Sequence, residues 1–138
     1  MTESELQQVL RDRGQRVTPQ RILIHRAVGK LDRHASAEEV LERVSASLPN
    51  ASLPTVYATL ELFEELGTVR RVSTGGGPTL WDPRTDDHGH TVCRDCGAVE
   101  DLESKVDTGP LLRAARRRGF RAGSAELVVS GLCARCAG

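Results

Sequence analysis

Two C-x-x-C pairs, Cys93-Arg-Asp-Cys96 and Cys133-Ala-Arg-Cys136, constrain this chain more than any other feature of it. They use all four of its cysteines, with the 36 residues 97–132 between them. A C-x-x-C on a tight turn aims two thiolates at one point. Two such turns complete the tetrahedral four-sulfur set of a closed structural zinc site, so Cys93, Cys96, Cys133 and Cys136 are expected to hold Zn2+. Gly97, directly after the first pair, suits the knuckle. A redox dithiol would instead open a helix after a strand of a βαβ unit, and no such unit is legible. The N-terminal segment MTESELQQVL is polar, and no apolar run approaches the ~18 residues of a membrane span. The expected location is the cytoplasm, where reducing conditions favour metal-bound thiolates over disulfides.

Such a staple matters for a chain of this size. At 138 residues it allows one or two small domains, and its aromatic residues are only Trp81, Tyr57, Phe63 and Phe120. Small domains with few large apolar side chains often need a metal or a partner subunit. Structural zinc supplies roughly 10–16 kcal/mol of apparent binding energy.

Ahead of the cysteines the periodicity is helical. Leu6, Val9 and Leu10 mark a helix near residues 4–13 that ends at Gly14. Thr18-Pro19 reads as a cap and first helical position, followed by Ile22, Leu23, Ala27, Val28 and Leu31 on a second helix. Ser36 and Glu39 fit a capping box for a third helix, with Val40, Leu41, Val44 and Leu48 as its buried stripe. Ser52 caps a fourth, lined by Val56, Leu60, Phe63 and Leu66 and stopped by Gly67. Then the period changes. Val69 and Val72 suggest a strand, Gly75 to Pro78 a turn, and Thr79-Leu80-Trp81 a returning strand. Helices followed by a small hairpin match a winged helix-turn-helix, with the fourth helix as the recognition helix.

The expectation is therefore an α+β chain. Residues 1–82 form the winged-helix DNA-binding domain, 83–89 a hinge, and 90–138 a small α/β domain carrying the four-cysteine zinc site. The second part reads as strand (His90–Cys93), knuckle, strand (Ala98–Leu102), helix (about 108–118), strand (Leu127–Ser130) and a second knuckle. Formal net charge is zero, and residues 1–82 hold ten Lys or Arg against eleven Asp or Glu. A non-specific nucleic-acid coat is strongly basic, so any DNA contact must come from local patches.

His88-Gly89-His90 is the second informative feature. Residues two apart on a strand face one side, so both imidazoles can reach one ion. The cysteines being committed elsewhere, such a site would use nitrogen and oxygen ligands. Asp82, Asp86, Asp87 and Asp101 are the nearby carboxylates. Solvated linker histidines would give the same pattern. His34, just before the third-helix cap, and His25, within the second helix, stand alone.

Over nearly its full length the chain resembles ferric-uptake-regulator (Fur) metalloregulators. The resemblance rests on Arg16-Val-Thr-Pro-Gln-Arg21, Thr55-Val-Tyr57, Leu60-Glu-Leu-Phe-Glu-Glu-Leu-Gly67, His88-Gly-His90 with Cys93-Arg-Asp-Cys96-Gly97, and Cys133 to Cys136. It implies a homodimer, with the second part as dimerisation domain, bound to a double-stranded operator of inverted-repeat symmetry. It also implies a regulatory ion between the two domains, held by the residues matching His34, Asp82, His88, His90 and Asp101. Three imidazoles and two carboxylates suit Fe2+ or Mn2+. Asp101 is similar to the peroxide-sensing (PerR-like) branch, where iron-uptake regulators usually carry Glu. In that branch the oxidised histidines match His34 and His88. The protein would be consumed rather than turn over, so it is not an enzyme. Many relatives have Arg where this chain has Ala58. The additional metal site of some relatives is expected to be absent, because Gly89, Thr108 and Ala125 offer no ligating side chain beside Asp87.

The implied mechanism is a clamp in which metal held by both domains sets two winged helices one helical turn apart on DNA. Thr55 and Tyr57 are candidate base-edge readers, and Arg16 and Arg21 candidate phosphate contacts. An iron-responsive repressor of iron uptake is the nearest alternative. A non-haem iron oxygenase using His88, His90 and one carboxylate is another, but five protein ligands would leave it little open coordination.

Overall fold

The computed structural model describes every residue except Asp32, Ser73 and Ser104. The chain divides into two compact units, Met1–Thr85 and Asp86–Gly138.

The first unit opens with four helices: α1 (Glu3–Asp12), α2 (Pro19–Leu31), α3 (Ala37–Val44) and α4 (Leu53–Leu66). Hydroxyl caps start all four. The Glu5 N–H donates to Thr2 Oγ1 at 3.2 Å, and the Thr2 N–H returns to Glu5 Oε2 at 2.6 Å, a full capping box that the sequence reading overlooked. The Arg21 N–H donates to Thr18 Oγ1, the Glu39 N–H to Ser36 Oγ and the Thr55 N–H to Ser52 Oγ, at 3.2, 3.2 and 3.4 Å. Gly67 ends α4 at φ 77°, a left-handed conformation that glycine adopts without penalty.

These helices bury one continuous core of Leu6, Leu10, Ile24, Val28, Val40, Val56, Leu60, Phe63 and Trp81, with smaller residues between. One expectation needs correction. Ile24, not among the apolar residues named for the second helix, is fully buried on α2, whereas Ile22 packs beside the core and Leu23 is only part-buried. Ile24, Ala27, Val28 and Leu31 are the set spaced i, i+3, i+4, i+7.

The hairpin follows as β1 (Arg70–Val72) and β2 (Leu80–Asp82), antiparallel, with Arg71 opposite Trp81 and Arg70 opposite Asp82. On its other edge Trp81 bridges Ala35, with N–H···O distances of 2.8 and 3.0 Å. That bridge ties the α2–α3 loop to β2.

The second unit comprises β3 (Gly89–Cys93), β4 (Val99–Leu102), α5 (Gly109–Arg117), β5 (Val128–Gly131) and the short α6 (Ala134–Ala137). Its sheet has the order β4-β3-β5, with β3 antiparallel to β4 and parallel to β5. The second C-x-x-C turn follows β5 and runs into a short helix. Cys133 is the N-cap of α6 and Cys136 lies within it. Val92 and Cys93 are the unit's only buried hydrophobic residues among those described, while Val106, Leu111 and Phe120 are each more than half exposed. Among the described residues, no helix is long and apolar enough to cross a membrane.

Phe63→Ala is expected to destabilise the first unit by about 3–5 kcal/mol through cavity formation, and Ser36→Ala by about 1 kcal/mol through a lost cap. Urea unfolding followed by emission of Trp81, the only tryptophan, measures both. A Phe63→Ala cost no larger than that of Ser36→Ala would remove Phe63 from the core.

Candidate metal centres

The cysteines converge within the second unit. Parallel pairing of β3 with β5 sets Cys93 opposite Gly131, and the Arg94 N–H donates to the Gly131 carbonyl at 2.9 Å. Both C-x-x-C segments thus leave adjacent strands at one end of the sheet. The Gly97 N–H closes the first turn on the Cys93 carbonyl at 2.9 Å, with Gly97 at φ 76°. One Sγ from each cysteine lies within 4.8 Å of the other three, and Cys96 Sγ is 3.7 Å from Cys133 Sγ. Thiolates about 2.3 Å from a shared ion at tetrahedral angles stand about 3.8 Å apart, so the set fits Zn2+.

Local donors already favour thiolate at two positions. The backbone N–H of Cys133, 3.3 Å from Cys93 Sγ, and then those of Cys96 and Asp95 hold the Cys93 thiol down to about 6. The Cys136 backbone N–H lowers Cys133 likewise. Cys136 is pushed up, chiefly because its thiol donates to Cys133. A dication among the four sulfurs removes this competition for protons.

Imidazoles and carboxylates meet in two further places. In the first unit, the Ala35–Trp81 bridge places the preceding His34 beside the following Asp82, with Nε2 to Oδ2 at 3.3 Å. Asp82 is buried, and its Oδ1 accepts from the Arg84 N–H at 2.9 Å. In the second unit, His90 pairs with Asp101 across β3 and β4, and His88 lies two residues earlier on the same side. Asp101 Oδ1 is 3.2 Å from His88 Nε2 and 3.4 Å from His90 Nε2, and the two rings are 4.6 Å apart. Donors about 2.1 Å from one ion are separated by about 3.0–3.4 Å in octahedral or tetrahedral arrangements. Both sets match that spacing.

The Asp86 carbonyl lies 2.8 Å from His88 Nδ1. A carbonyl only accepts, so Nδ1 carries the hydrogen and Nε2 presents its lone pair toward Asp101. Asp86 therefore acts through its backbone. Of the four carboxylates near the histidine pair in sequence, Asp82 and Asp101 join ligating groups and Asp86 and Asp87 do not. His25 stacks edge-on against Phe63 at 5.3 Å, where burial lowers its pKa.

The candidate DNA contacts are less uniform. Arg16 is exposed, and Arg21 donates to its carbonyl through Nη1 at 2.7 Å. Thr55 lies in the first turn of α4, its hydroxyl 2.9 Å from Ser52 Oγ. Tyr57 is half-buried, edge-on to Trp81 at 5.3 Å. Ala58 is exposed. Sequence reasoning missed Arg71, whose guanidinium lies 5.5 Å from the Trp81 ring centre while Nε donates to Glu64 at 2.9 Å. Only the hairpin register could have signalled it.

Residues 12–130 match the ferric uptake regulator family. Ferric uptake regulation protein 1 of Mycolicibacterium fortuitum is 38% identical over 130 residues, covering 92% of this chain and 80% of that protein. The peroxide operon regulator of Bacillus subtilis (strain 168) is 30% identical over 132 residues, covering 96% and 91%. Among solved structures, a ferric uptake regulator from Pseudomonas aeruginosa with manganese is similar at TM-score 0.74 and 30% identity, covering 97% of this chain and 99% of that one. Matched along most of its length by the family and along nearly all of it by these relatives, the protein belongs to the ferric uptake regulator family of metal-responsive transcriptional regulators.

Proposed function

We propose that this protein is a cytoplasmic, peroxide-responsive repressor whose homodimer binds operator DNA when Fe2+ or Mn2+ is bound. The observation that carries this reading is the pair of imidazole–carboxylate sets, one in each unit, each spaced as ligands of a common ion. Neither set alone offers enough donors for a six-coordinate cation. His34 and Asp82 together with His88, His90 and Asp101 offer five, two of them carboxylates that balance the ion's charge. One ion held by all five would tie the expected DNA-binding domain, residues 1–82, to the dimerisation domain, residues 90–138, across a hinge at 83–89 that itself carries His88. DNA binding and metal binding then strengthen each other, because coupling is reciprocal.

Cys93, Cys96, Cys133 and Cys136 hold a separate Zn2+ that closes the second unit. Its exposed Val106, Leu111 and Phe120 supply apolar surface for dimerisation. Arg16 and Arg21 hold phosphates while Thr55 and Tyr57 face base edges from α4.

Peroxide responsiveness rests on Asp101, on the histidine ligands and on similarity to the Bacillus subtilis peroxide operon regulator. Fe2+ held there would supply the redox chemistry that activates peroxide; in the overall two-electron change one peroxide oxygen would be added at a ring carbon of His34 or His88, and the other would leave as water. An oxidised imidazole no longer donates to the ion, and the units separate. Regulation by iron level alone is the second reading, favoured by the 38% identity with the Mycolicibacterium fortuitum ferric uptake protein. The two diverge on what peroxide does.

Three outcomes are expected. Cys96→Ser loses zinc and fails to fold the second unit, as zinc analysis and circular dichroism will show; a zinc-free protein of native fold would remove the structural role. His90→Ala keeps zinc and fold but loses Mn2+-dependent binding to a duplex enriched from a random pool by the Mn2+ form. Unchanged Mn2+ dependence in a mobility-shift assay would exclude His90 as a ligand. Peroxide releases DNA from the Fe2+ form and not the Mn2+ form, with one oxygen added at His34 or His88 by mass spectrometry. Release from neither form would hand the assignment to iron sensing.

A further inference from the structure

Trp81 occupies an unusual position in the first unit, and no ligand or DNA contact has been assigned to it. Its side chain is fully buried, and its indole Nε1 has no hydrogen-bond partner among the described residues. A buried indole N–H without a partner carries a desolvation cost, so the ring is held there by what surrounds it.

Three elements converge on this residue. Its main chain exchanges two hydrogen bonds with Ala35, which puts His34 and Asp82 directly beside the bridged pair. Its ring meets the edge of Tyr57 on α4 at 5.3 Å with a 73° interplanar angle. Its face lies 5.5 Å from the Arg71 guanidinium, and Arg71 is tied to Glu64 on the same helix. One rigid aromatic group therefore touches the recognition helix directly, reaches it again through Arg71, and is bridged through its backbone to Ala35, the neighbour of His34, while Asp82 follows it in the chain.

Close-packed interiors pass small displacements on rather than absorbing them. An ion seated between His34 and Asp82 replaces a 3.3 Å contact by two metal–ligand bonds. That separation already suits two ligands of one ion, so occupancy would lock rather than shift the 34–35 and 81–82 segments, and with them the indole and the Tyr57 ring it meets. We propose that Trp81 is a positioning residue through which occupancy of the His34–Asp82 pair sets the orientation of α4. The first unit then carries part of the metal response by itself, in addition to any clamp between units. This inference rests on the proposed function in taking His34 and Asp82 as ligands.

The test compares wild type, Trp81→Phe, Phe63→Ala and His34→Ala. Mn2+ affinity without DNA is measured by calorimetry. Affinity for a duplex enriched by the Mn2+ form is measured with and without Mn2+. Trp81→Phe should bind Mn2+ as wild type does, yet gain about tenfold less DNA affinity from it, within the usual span of allosteric coupling. Phe63→Ala weakens the same core but should keep the full gain, which separates positioning from general stability. In wild type, Mn2+ should slow amide hydrogen exchange at Tyr57 and Thr59, and Trp81→Phe should abolish that slowing. A full Mn2+ gain in Trp81→Phe, with His34→Ala losing Mn2+, would overturn the relay and leave the regulatory site standing. Unchanged Tyr57 and Thr59 exchange in wild type would overturn it even if the variant failed to fold. Mn2+ binding unaffected by His34→Ala would overturn both the site and the relay.

Discussion

Antiparallel pairing, Ala35 with Trp81 and His90 with Asp101, sets the imidazole–carboxylate distances on which the rest depends. Each pairing fixes a register, and a slip of one residue would turn the side chains to the opposite face. The bridge at Ala35 is short, yet it has two backbone hydrogen bonds and sits against a fully buried tryptophan. The β3–β4 ladder is longer and also leads into the first cysteine turn. His88 just before β3, His90 near its start and Cys93 at its end thus put members of both candidate metal sets along one strand.

The two units reach stability by different routes. The first buries a contiguous set of aliphatic and aromatic side chains under four capped helices. The second buries little beyond Val92 and Cys93. Its strands are short and α5 has no buried residue. A Zn2+ held by the four cysteines would crosslink the ends of β3 and β5, a region that hydrophobic contacts alone hold poorly. Under the proposed function, this division suits a regulator. The permanent ion would sit where folding needs it, and the exchangeable ion would take two of its donors, His34 and Asp82, from the well-packed first unit.

Local signals made much of this legible. Ser36, Ser52 and Gly67 marked helix ends because capping chemistry acts within four residues, and the spacing of the two C-x-x-C pairs and of His88-Gly-His90 foretold that each set of side chains converges. Long-range pairings were not legible. Nothing near His34 announces Asp82, 48 positions later; only family resemblance joined them. The Ala35–Trp81 bridge and the Arg71–Trp81 contact depend on a register that hairpin length and turn geometry decide together. Ile24 was missed because the apolar run Ile22-Leu23-Ile24 hides which member faces inward. The helical turn at Cys136 was missed because a knuckle and a one-turn helix place two cysteines similarly.

The composition of α4 bears on how such a protein would select DNA. The helix has no Lys or Arg and carries Glu61, Glu64 and Glu65. Arg71 offsets part of that charge by pairing with Glu64 and lying 4.0 Å from Glu61. Phosphate attraction, the sequence-independent part of affinity, must therefore come from other elements, with Arg16 and Arg21 the candidates at the start of α2. A reading helix without cations adds little to non-specific binding. Its orientation then weighs more heavily in total affinity, because contacts to base edges are lost by small misalignments while diffuse charge attraction is not. Ala58 belongs to the same logic, since an arginine there would add affinity regardless of how α4 is oriented. Weak intrinsic attraction and a helix braced on Trp81 are complementary. Under the proposed function they would let occupancy of the His34–Asp82 pair, more than net charge, decide whether the protein stays on DNA.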